Sequence, residues 1–369
     1  MKSAIFLLCF FSAIFCSAQP STKNIFIVTT DGFRWQEVFN GADSLLISNP
    51  LFVKDTVLTK QMFWDNSLTE RREKLMPFLW NVVAKQGQIY GNRAFNNNVN
   101  VKNFYKISYP GYNEILTGFA DFRPMLNFAL QNKNTNVLEY LNAQDGFKGK
   151  VVAFSSWNMM PFILNEKRSG FSVNSGYEML EDTSETSNLI DTVQENTAIK
   201  GHTRNDELTY LSAKQYVEKN HPKAVFLGLG ETDEEAHQGN YDNYLQKAAA
   251  VDKMIADLWY FIQTDPFYKN NTTLIITTDH GRGKNGASWK THGFWAKGSG
   301  EVWLAMLGPT ILPEGEMKTA QQIWQKQIAA TIAEMVDQHF IATHAVGEAI
   351  QLPVQTKPAA KVFLANKEE

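Results

Sequence analysis

Three short, strongly apolar segments constrain the fold of this chain more than any other feature. They are Asn24–Thr30 (NIFIVTT), Ala224–Leu229 (AVFLGL) and Thr273–Thr278 (TLIITT). Their continuous apolar and β-branched character predicts strands that are buried on both faces. Val151–Ser155 predicts a further strand of the same kind. Because helical patterns separate these strands, the chain is expected to adopt an α/β fold with a mostly parallel central sheet and helices on both faces.

The remaining elements are predicted from the periodicity of their apolar residues. No internal repeat or low-complexity linker divides the chain, so residues 19–352 are expected to form one domain, followed by a polar tail at 353–369. The stretch 169–204 is rich in Ser, Thr, Glu and Asn; we interpret it as a surface excursion, with a substrate-covering loop as the alternative. The predicted helices are Leu75–Lys85, Asp206–Glu218, Tyr241–Gln263 and Thr319–Gln338, and Val302–Leu307 is a candidate strand.

The first 18 residues have the pattern of a secretory signal peptide. Lys2 precedes an apolar run from Ala4 to Cys16, and cleavage is expected after Ala18. The run is shorter than the roughly 20 residues of a membrane-spanning helix. Export to the periplasm or the medium is therefore expected, and no later segment is apolar enough to span a bilayer. Both cysteines lie in this segment, so the mature chain is predicted to have neither disulfides nor thiolate ligands.

The charge pattern excludes one class of partner. The formal net charge is -3, and no basic stripe of the kind that nucleic-acid-binding proteins carry is present. Beyond that, the charge indicates little about the partner.

Residues that can bind metal ions follow three of the predicted strands. Since the carboxyl ends of parallel strands meet at one edge of the sheet, these side chains are expected to converge there. Each is weak evidence alone, because a single Asp-Gly is usually a turn and a single His is usually structural. The combination is much harder to explain as chance. The residues are Asp31, Asp233, His237, Asp279, His280 and His292.

This ordered set resembles the alkaline phosphatase superfamily, and most closely its nucleotide pyrophosphatase/phosphodiesterase branch. That branch has a strand ending in Asp-Gly, a nucleophile segment of the form Thr/Ser-aromatic-Pro that closes with Thr-Gly, then Asp-x-x-x-His, Asp-His-Gly and a final His. Here Ser108–Gly118 (SYPGYNEILTG) matches the nucleophile segment without gaps, and the other motifs follow in order. The resemblance extends from Asn24 to about Gly308.

The resemblance implies a centre with two divalent metal ions. Asp233, His237 and His292 would hold one ion, while Asp31, Asp279 and His280 would hold the other, beside Ser108. Imidazole and carboxylate ligands suit zinc, with manganese or iron as alternatives. Three aspartates carry a charge of −3 and two divalent ions carry +4, so the loaded site would have a net charge of about +1 and attract a phosphoryl group.

The resemblance also implies roles for Ser108 and for one asparagine. Ser108, activated between the two ions, would attack phosphorus in line, and water would hydrolyse the seryl-phosphate. The phosphodiesterase branch holds a phosphoryl oxygen with an Asn. Asn127 lies near the corresponding place, two residues closer to the nucleophile than in the family, and Asn113 is the alternative.

Departures from related families narrow the expected substrate. Sulfatases have an Arg where this chain has Tyr112, which argues against a sulfatase. Phosphomonoesterases often place a cation at the phosphoryl oxygens; Lys102 and Lys106 are the candidates, but we interpret them as solvated lysines. Phosphoethanolamine transferases carry membrane helices, and phosphoglycerate mutases are cytosolic, so neither fits this chain.

Four further residues each have two possible roles. Trp157, Trp289 and Trp295 could stack on part of a substrate, although core packing is the more frequent role of tryptophan. Arg34 could reach a phosphate or form a salt bridge.

The sequence as a whole predicts an exported, metal-dependent hydrolase of small-molecule phosphate esters, with diesters slightly favoured over monoesters. The alternatives are a sulfate or phosphonate ester hydrolase and a secreted binding protein with an inactive site.

Overall fold

A computed structural model describes residues 22–123, 126–284 and 286–353. The predicted signal peptide at 1–18 and all but the first residue of the predicted tail lie outside these ranges. The strands are β1 Asn24–Thr30, β2 Gln88–Tyr90, β3 Asn97–Asn100, β4 Val151–Ser155, β5 Ser172–Ser175, β6 Ala224–Leu229, β7 Thr272–Thr277, β8 Glu301–Val302, β9 Leu304–Leu307, β10 Gly315–Glu316 and β11 Gln321–Trp324.

Helices occupy most of the segments between the strands. Short 3-10 turns lie at Arg93–Phe95, Gly286–Lys290 and Gln325–Gln327, and a π-helix spans Leu79–Val83. The α-helices are α1 Trp35–Asn40, α2 Thr56–Phe63, α3 Leu68–Leu75, α4 Ala84–Gln86, α5 Ser108–Thr117, α6 Val137–Asn142, α7 Met160–Ile163, α8 Glu166–Ser169, α9 Glu185–Glu195, α10 Asp206–Asn220, α11 Glu231–Gln238, α12 Tyr241–Thr264 and α13 Ile328–Met335.

The central sheet has eight strands in the order β10-β2-β9-β7-β1-β6-β4-β5. Its core, from β7 through β1, β6 and β4 to β5, is parallel, while β9 is antiparallel to both neighbours. A small second sheet has the order β11-β3-β8. The predicted α/β class with a mostly parallel sheet is confirmed.

The two faces of the sheet bury two separate apolar cores. Phe26 and Val28 of β1 belong to the core that contains the apolar face of α12, including Ile255. Ile25 and Ile27 belong to the opposite core, which contains residues of α5, α6 and α13. Because successive side chains of a strand point to opposite faces, every residue of β1 is buried, as the unbroken apolar sequence predicts. None of the helices in the described part of the chain is long and apolar enough to cross a membrane.

Two predicted helices differ from the observed ones, for different physical reasons. Leu75–Lys85 begins two residues later than predicted, because α3 ends at Leu75 and Met76, which precedes Pro77, leaves the helical conformation; helical backbone then continues from 77 to 86, with the π-helix in its middle. The residue before a proline is disfavoured in that conformation. Thr319–Gln338 is broken: Gln321–Trp324 pairs with β3, so only Ile328–Met335 remains α-helical.

Two other segments differ from their predicted form. Val302–Leu307 divides at Trp303 between the two sheets, since β8 pairs with β3 whereas β9 pairs with β2 and β7. The excursion at 169–204 contains the edge strand β5 and helix α9, and its last residues return to the carboxyl edge of the sheet.

Candidate active site

The carboxyl edge of the central parallel strands brings the predicted metal-binding residues together. Asp31 follows β1, and Asp279 lies two residues beyond β7. Gly230 follows β6 and leads into α11, which carries Asp233 and His237. Two groups form there, each with ligand atoms within 4.8 Å of one another: Asp233, His237 and His292, and Asp31, Asp279 and His280.

The first group lies at the surface of the cavity. Asp233 and His237 are four residues apart on α11, so their side chains share one face of the helix. His237 Nε2 lies 3.1 Å from Asp233 Oδ2 and 2.9 Å from His292 Nε2. Two imidazoles and one carboxylate at these distances form an open set of ligands that suits zinc.

The second group is buried. His280 Nε2 lies 3.4 Å from Asp31 Oδ1 and 3.4 Å from Asp279 Oδ2. The other oxygen of each carboxylate accepts a hydrogen bond, Asp31 Oδ2 from the Tyr112 hydroxyl (3.1 Å) and Asp279 Oδ1 from Gly32 N (3.0 Å). These second partners fix the orientation of both carboxylates.

The unpaired atoms of the second group fit a cation. Asp31 Oδ1 and Asp279 Oδ2 are buried and accept no hydrogen bond from the described residues. His280 Nδ1 lies 3.0 Å from Gly281 O and therefore carries the proton, which leaves a lone pair on Nε2. Buried oxygens without partners are rare in proteins. Two of them beside a nitrogen lone pair form an arrangement that a metal ion would satisfy.

The electrostatics of the site also fit bound cations. Burial, followed by the charges of Asp279 and Asp233, raises the pKa of Asp31 well above its usual value. Burial raises the pKa of Asp279 to about 8 and lowers that of His292 to about 4. Burial also lowers the pKa of His280 well below its usual range. The carboxylates therefore need positive charge, and the imidazoles remain neutral and able to bind metal.

Ser108 is the first residue of α5 and lies beside the second group. Its side chain is buried, and Oγ lies 3.2 Å from His280 Nε2. Helix α5 packs closely against the end of β7, because Gly111 contacts the backbone of Asp279. Buried Glu114 fixes the same helix by accepting hydrogen bonds from Lys102 N, Asn103 N and Lys326 N.

The two candidate asparagines have different environments. Asn127 lines the cavity together with Ser108, and its Oδ1 accepts a hydrogen bond of 2.9 Å from Tyr109 N. Asn113 is fully buried; its Nδ2 donates to Phe119 O, and its Oδ1 accepts from Asn132 and Asn134. The structure thus brings Asn127 to the site, whereas Asn113 holds loops together.

A cavity of about 300 Å³ joins Ser108 and Asn127 to both groups of ligands. Its opposite wall was not predicted. His202 and Thr203, at the end of the 169–204 excursion, form this wall together with Trp157, Met159 and Glu234. A β-bridge between Trp157 and Thr203 fixes the wall. The interpretation of the excursion as surface alone was therefore incomplete, because composition does not reveal that its last residues return to the site.

The sequence did not predict that Arg282 belongs to the site. Its buried guanidinium donates to Asp233 Oδ1, to Trp289 O (2.8 Å) and to Lys290 O (2.5 Å). Burial alone would raise the pKa of Asp233, but the charge of Arg282 lowers it well below the usual value. The position of Arg282, three residues after Asp279 in Asp-His-Gly-Arg, is the signal that could have identified it.

The other residues considered from sequence lie in varied places. Trp295 is 86% exposed, so core packing is wrong for it. Core packing is confirmed for Trp289, which packs on Tyr241 and Tyr244. Trp157 does both, since it packs against the apolar core and also lines the cavity. Arg34 is buried in a salt bridge with Glu37.

Neither candidate lysine lines the cavity. Lys102 Nζ lies over the Trp324 ring, 4.4 Å from its centroid, and the side chain of Lys106 lies against Gly300.

Comparison with solved structures shows the same fold in several enzymes. Alkaline phosphatase PafA aligns with a TM-score of 0.59 at 11% identity, over 90% of this chain and 99% of that chain. The phosphonate monoester hydrolase of Agrobacterium radiobacter aligns with a TM-score of 0.54 at 10% identity, over 89% of this chain and 76% of that chain. A 2-O GAG sulfatase aligns with a TM-score of 0.54 at 13% identity, over 89% of this chain and 73% of that chain. At these identities the likeness concerns the fold alone.

Comparison with protein families finds a match over part of the chain that contains most of the candidate site. The family model of the metalloenzyme superfamily matches residues 170–294, which include five of the six predicted metal ligands. No curated protein matches the chain. Over residues 170–294 the chain is similar to the metalloenzyme superfamily, and the match contains one complete group of candidate ligands and two members of the other.

Proposed function

We propose that the protein is an exported, metal-dependent hydrolase of phosphate esters, with Ser108 as the nucleophile and diesters as preferred substrates. One observation carries the proposal: the buried Ser108 Oγ lies 3.2 Å from His280 Nε2, in the cavity that both groups of ligands share. Ser108 also begins a helix of ten residues. The positive end of a helix dipole attracts an anionic phosphoryl group.

The two groups of ligands suit two divalent cations, and their residue types favour zinc over manganese or iron. Asp233, His237 and His292 would hold one cation, and Asp31, Asp279 and His280 the other. Bound there, the cations would lower the pKa of the Ser108 hydroxyl and offset the negative charge of the phosphoryl group.

The residues of the chain then have distinct tasks. Ser108 Oγ gives up its proton to solvent and forms a bond to phosphorus while the bond from phosphorus to the leaving oxygen breaks, and that oxygen takes up a proton from solvent to become the free alcohol. Water then cleaves the seryl-phosphate and regenerates Ser108. Asn127 is oriented by Tyr109 N through Oδ1, which leaves Nδ2 as the donor for a phosphoryl oxygen.

The charges around the cavity support diesters over monoesters. Among the described residues that line it are the carboxylates Asp31, Asp233 and Glu234, but no lysine or arginine. The guanidinium of Arg282 is already bonded to Asp233. A monoester carries one more negative charge than a diester and would need an additional cation.

Sulfate and phosphonate esters remain the competing substrates on this fold. Tyr112 stands at the position where sulfatases have an arginine, and its hydroxyl donates to Asp31. This uncharged group supports a phosphate ester as the substrate.

The test is an assay of the metal-loaded protein with bis-p-nitrophenyl phosphate, p-nitrophenyl phosphate, p-nitrophenyl sulfate and a p-nitrophenyl phosphonate. The diester is expected to turn over fastest, and Ser108→Ala to lower kcat/KM at least about a thousandfold. Ser212→Ala is the control, because Ser212 is equally buried but its hydroxyl bonds within α10. Full activity of Ser108→Ala would exclude this nucleophile, and turnover of the sulfate alone would exclude phosphate esters.

Export rests on residues 1–18 and has its own test. Expressed in a bacterial host with the segment intact, the protein should appear outside the cytoplasm with Gln19 as its first residue. An uncleaved chain in the cytoplasm would contradict export without affecting the proposed chemistry.

A further inference from the structure

An unusual concentration of exposed aromatic side chains lies next to the candidate active site. Six phenylalanine and tryptophan side chains are exposed in the described part of the chain, and five of them are in this one region. Trp295 is 86% exposed, Phe122 70% and Phe128 58%. Exposed apolar side chains are ordinary when scattered, but a group of them marks an interaction surface. We call this group the apolar rim; its members are Phe104, Phe122, Leu126, Phe128, Phe294 and Trp295.

The apolar rim is held together by direct contacts between its segments. The Phe104 ring lies 4.8 Å from that of Phe294, which lies 4.0 Å from that of Trp295. The hydroxyl of Tyr105, the neighbour of Phe104, donates to Phe122 O. Asn127, between Leu126 and Phe128, accepts a hydrogen bond from Tyr109 N, which ties this segment to the one that follows Phe104. Residues that are far apart in the sequence thus form a shared surface.

Each segment of the apolar rim also carries a residue of the site. Phe104 lies four positions before Ser108. Leu126 and Phe128 flank Asn127. Phe294 lies two positions after His292. Asn127 and His292 both line the cavity. The apolar rim therefore borders the cavity that holds the nucleophile.

The charges beside the apolar rim are mainly positive. Lys102, Lys106, Arg123 and Lys297 lie in its segments, and the one carboxylate there, Asp121, is bonded to Arg123. Exposed aromatic residues with neighbouring cations are typical of proteins that settle at a lipid surface, where the rings enter the headgroup region and the cations meet phosphates.

We propose that the apolar rim docks the protein on a lipid surface. Its place beside the cavity favours this occupant over a protein. A protein partner seated on the rim would obstruct the access of substrate, whereas a lipid surface would itself present the substrate.

The substrate class follows if the proposed function holds: an amphiphilic phosphate ester, whose headgroup enters the cavity while its apolar chains stay at the rim. Trp157 and Met159 on the far wall continue the apolar surface inside the cavity.

Docking is tested without turnover, by flotation of the metal-loaded protein with vesicles of phosphatidylcholine and of phosphatidylcholine mixed with phosphatidylglycerol. We expect binding to both, stronger with phosphatidylglycerol, and at least a tenfold weaker binding for Phe122→Ser/Trp295→Ser. The matched control is Leu51→Ser/Ile199→Ser. It removes two side chains that are 84% and 87% exposed and lie outside the apolar rim.

Any of several results would overturn the proposal. One is absence of binding by the unchanged protein. Another is an equal loss of binding in the rim and control variants. A further one is binding that salt abolishes but that the rim variant retains. The last is a dimer, detected by sedimentation, that the rim variant converts to a monomer while no vesicle is bound; the surface would then be an interface between copies of the chain.

Turnover tests the substrate class separately. With a short-chain phospholipid, the rate should rise sharply once the lipid forms micelles, and the rim variant should lose this rise. Turnover of soluble bis-p-nitrophenyl phosphate without any turnover of the phospholipid would reject the lipid substrate and leave the proposed function intact. Failure with both substrates would reject the proposed function, while the flotation result would still stand.

Discussion

At the scale of single residues, the site depends on partners that hold each ligand in place. Asp31 and Asp279 each direct one oxygen to a hydrogen-bond donor and leave the other for a cation. Asp233 is held in a different way, by the buried charge of Arg282. The sequence predicted which residues form the two groups, because their types and order are distinctive. It did not predict His202 or Thr203, because nothing in their local sequence indicates which surface they meet. Arg282 did have a local signal, its position directly after Asp-His-Gly.

Tyr112→Phe should weaken metal binding about ten- to a hundredfold, since the variant removes the hydroxyl that orients Asp31. Metal affinity is measured by competition with a chelator of known affinity. Tyr109→Phe on the same helix is the control, because its hydroxyl donates to Leu130 O and not to a ligand. Equal affinities in the two variants would contradict the role of Tyr112.

Arg282→Gln should lower the free energy of unfolding of the metal-free protein by about 3 to 5 kcal/mol, because it leaves the charge of Asp233 without its partner. The loss should be smaller with metal bound, since a cation replaces the missing charge. Urea unfolding with and without chelator measures both values. Lys284→Gln, which breaks the exposed pair with Glu301, should cost about 1 kcal/mol or less. A penalty for Arg282→Gln that metal does not reduce would argue against this coupling.

At the scale of elements, the strands were easier to predict than the helices. The bounds of β1, β4 and β6 agree with the predicted ones, because strands buried on both faces have an unbroken apolar sequence. Gln321–Trp324 was predicted as helix and not as a strand, because its β conformation comes from pairing with β3, which lies more than two hundred residues earlier in the chain. Periodicity within a segment carries no information about such a partner.

Gly111→Ala tests the close packing of α5 on the end of β7. The added methyl group would collide with the carbonyl oxygen of Asp279, so the helix that carries Ser108 must move. We expect a loss of about 1 to 3 kcal/mol in the free energy of unfolding, together with weaker metal binding. Gly146→Ala is the control, because no atom lies within 4 Å of the added carbon. Unchanged metal affinity in Gly111→Ala would show that the position of α5 does not control the site.

At the scale of the whole molecule, buried carboxylates link distant layers of the fold. Asp252 on α12 accepts hydrogen bonds from Phe78 N and Leu79 N. Those bonds favour its charged form, but burial outweighs them and raises its pKa to about 7. An unfolded chain would release this proton near pH 4. The stability that Asp252 contributes is therefore present in full below about pH 4 and is lost as the pH rises to about 7.

Asp252→Asn should remove this dependence, because the amide does not ionise. Between pH 5 and 7, the free energy of unfolding of the unchanged protein should fall relative to that of the variant by up to about 1.4 kcal/mol per pH unit. Urea unfolding at several pH values measures the two slopes. Parallel slopes would mean that Asp252 is already ionised in the folded protein.

The central position of β1 has a consequence for when the proposed metal sites form. Thr30, at the end of β1, meets Thr232 at a separation of 202 residues, and Thr22 meets Thr273 at a separation of 251. Such a high contact order delays closure of the sheet until most of the chain is present. The second group of ligands needs β1 and β7 side by side, so it does not exist in an emerging or early-folding chain. Metal uptake is then a late event whose rate reports when the last central strands have joined.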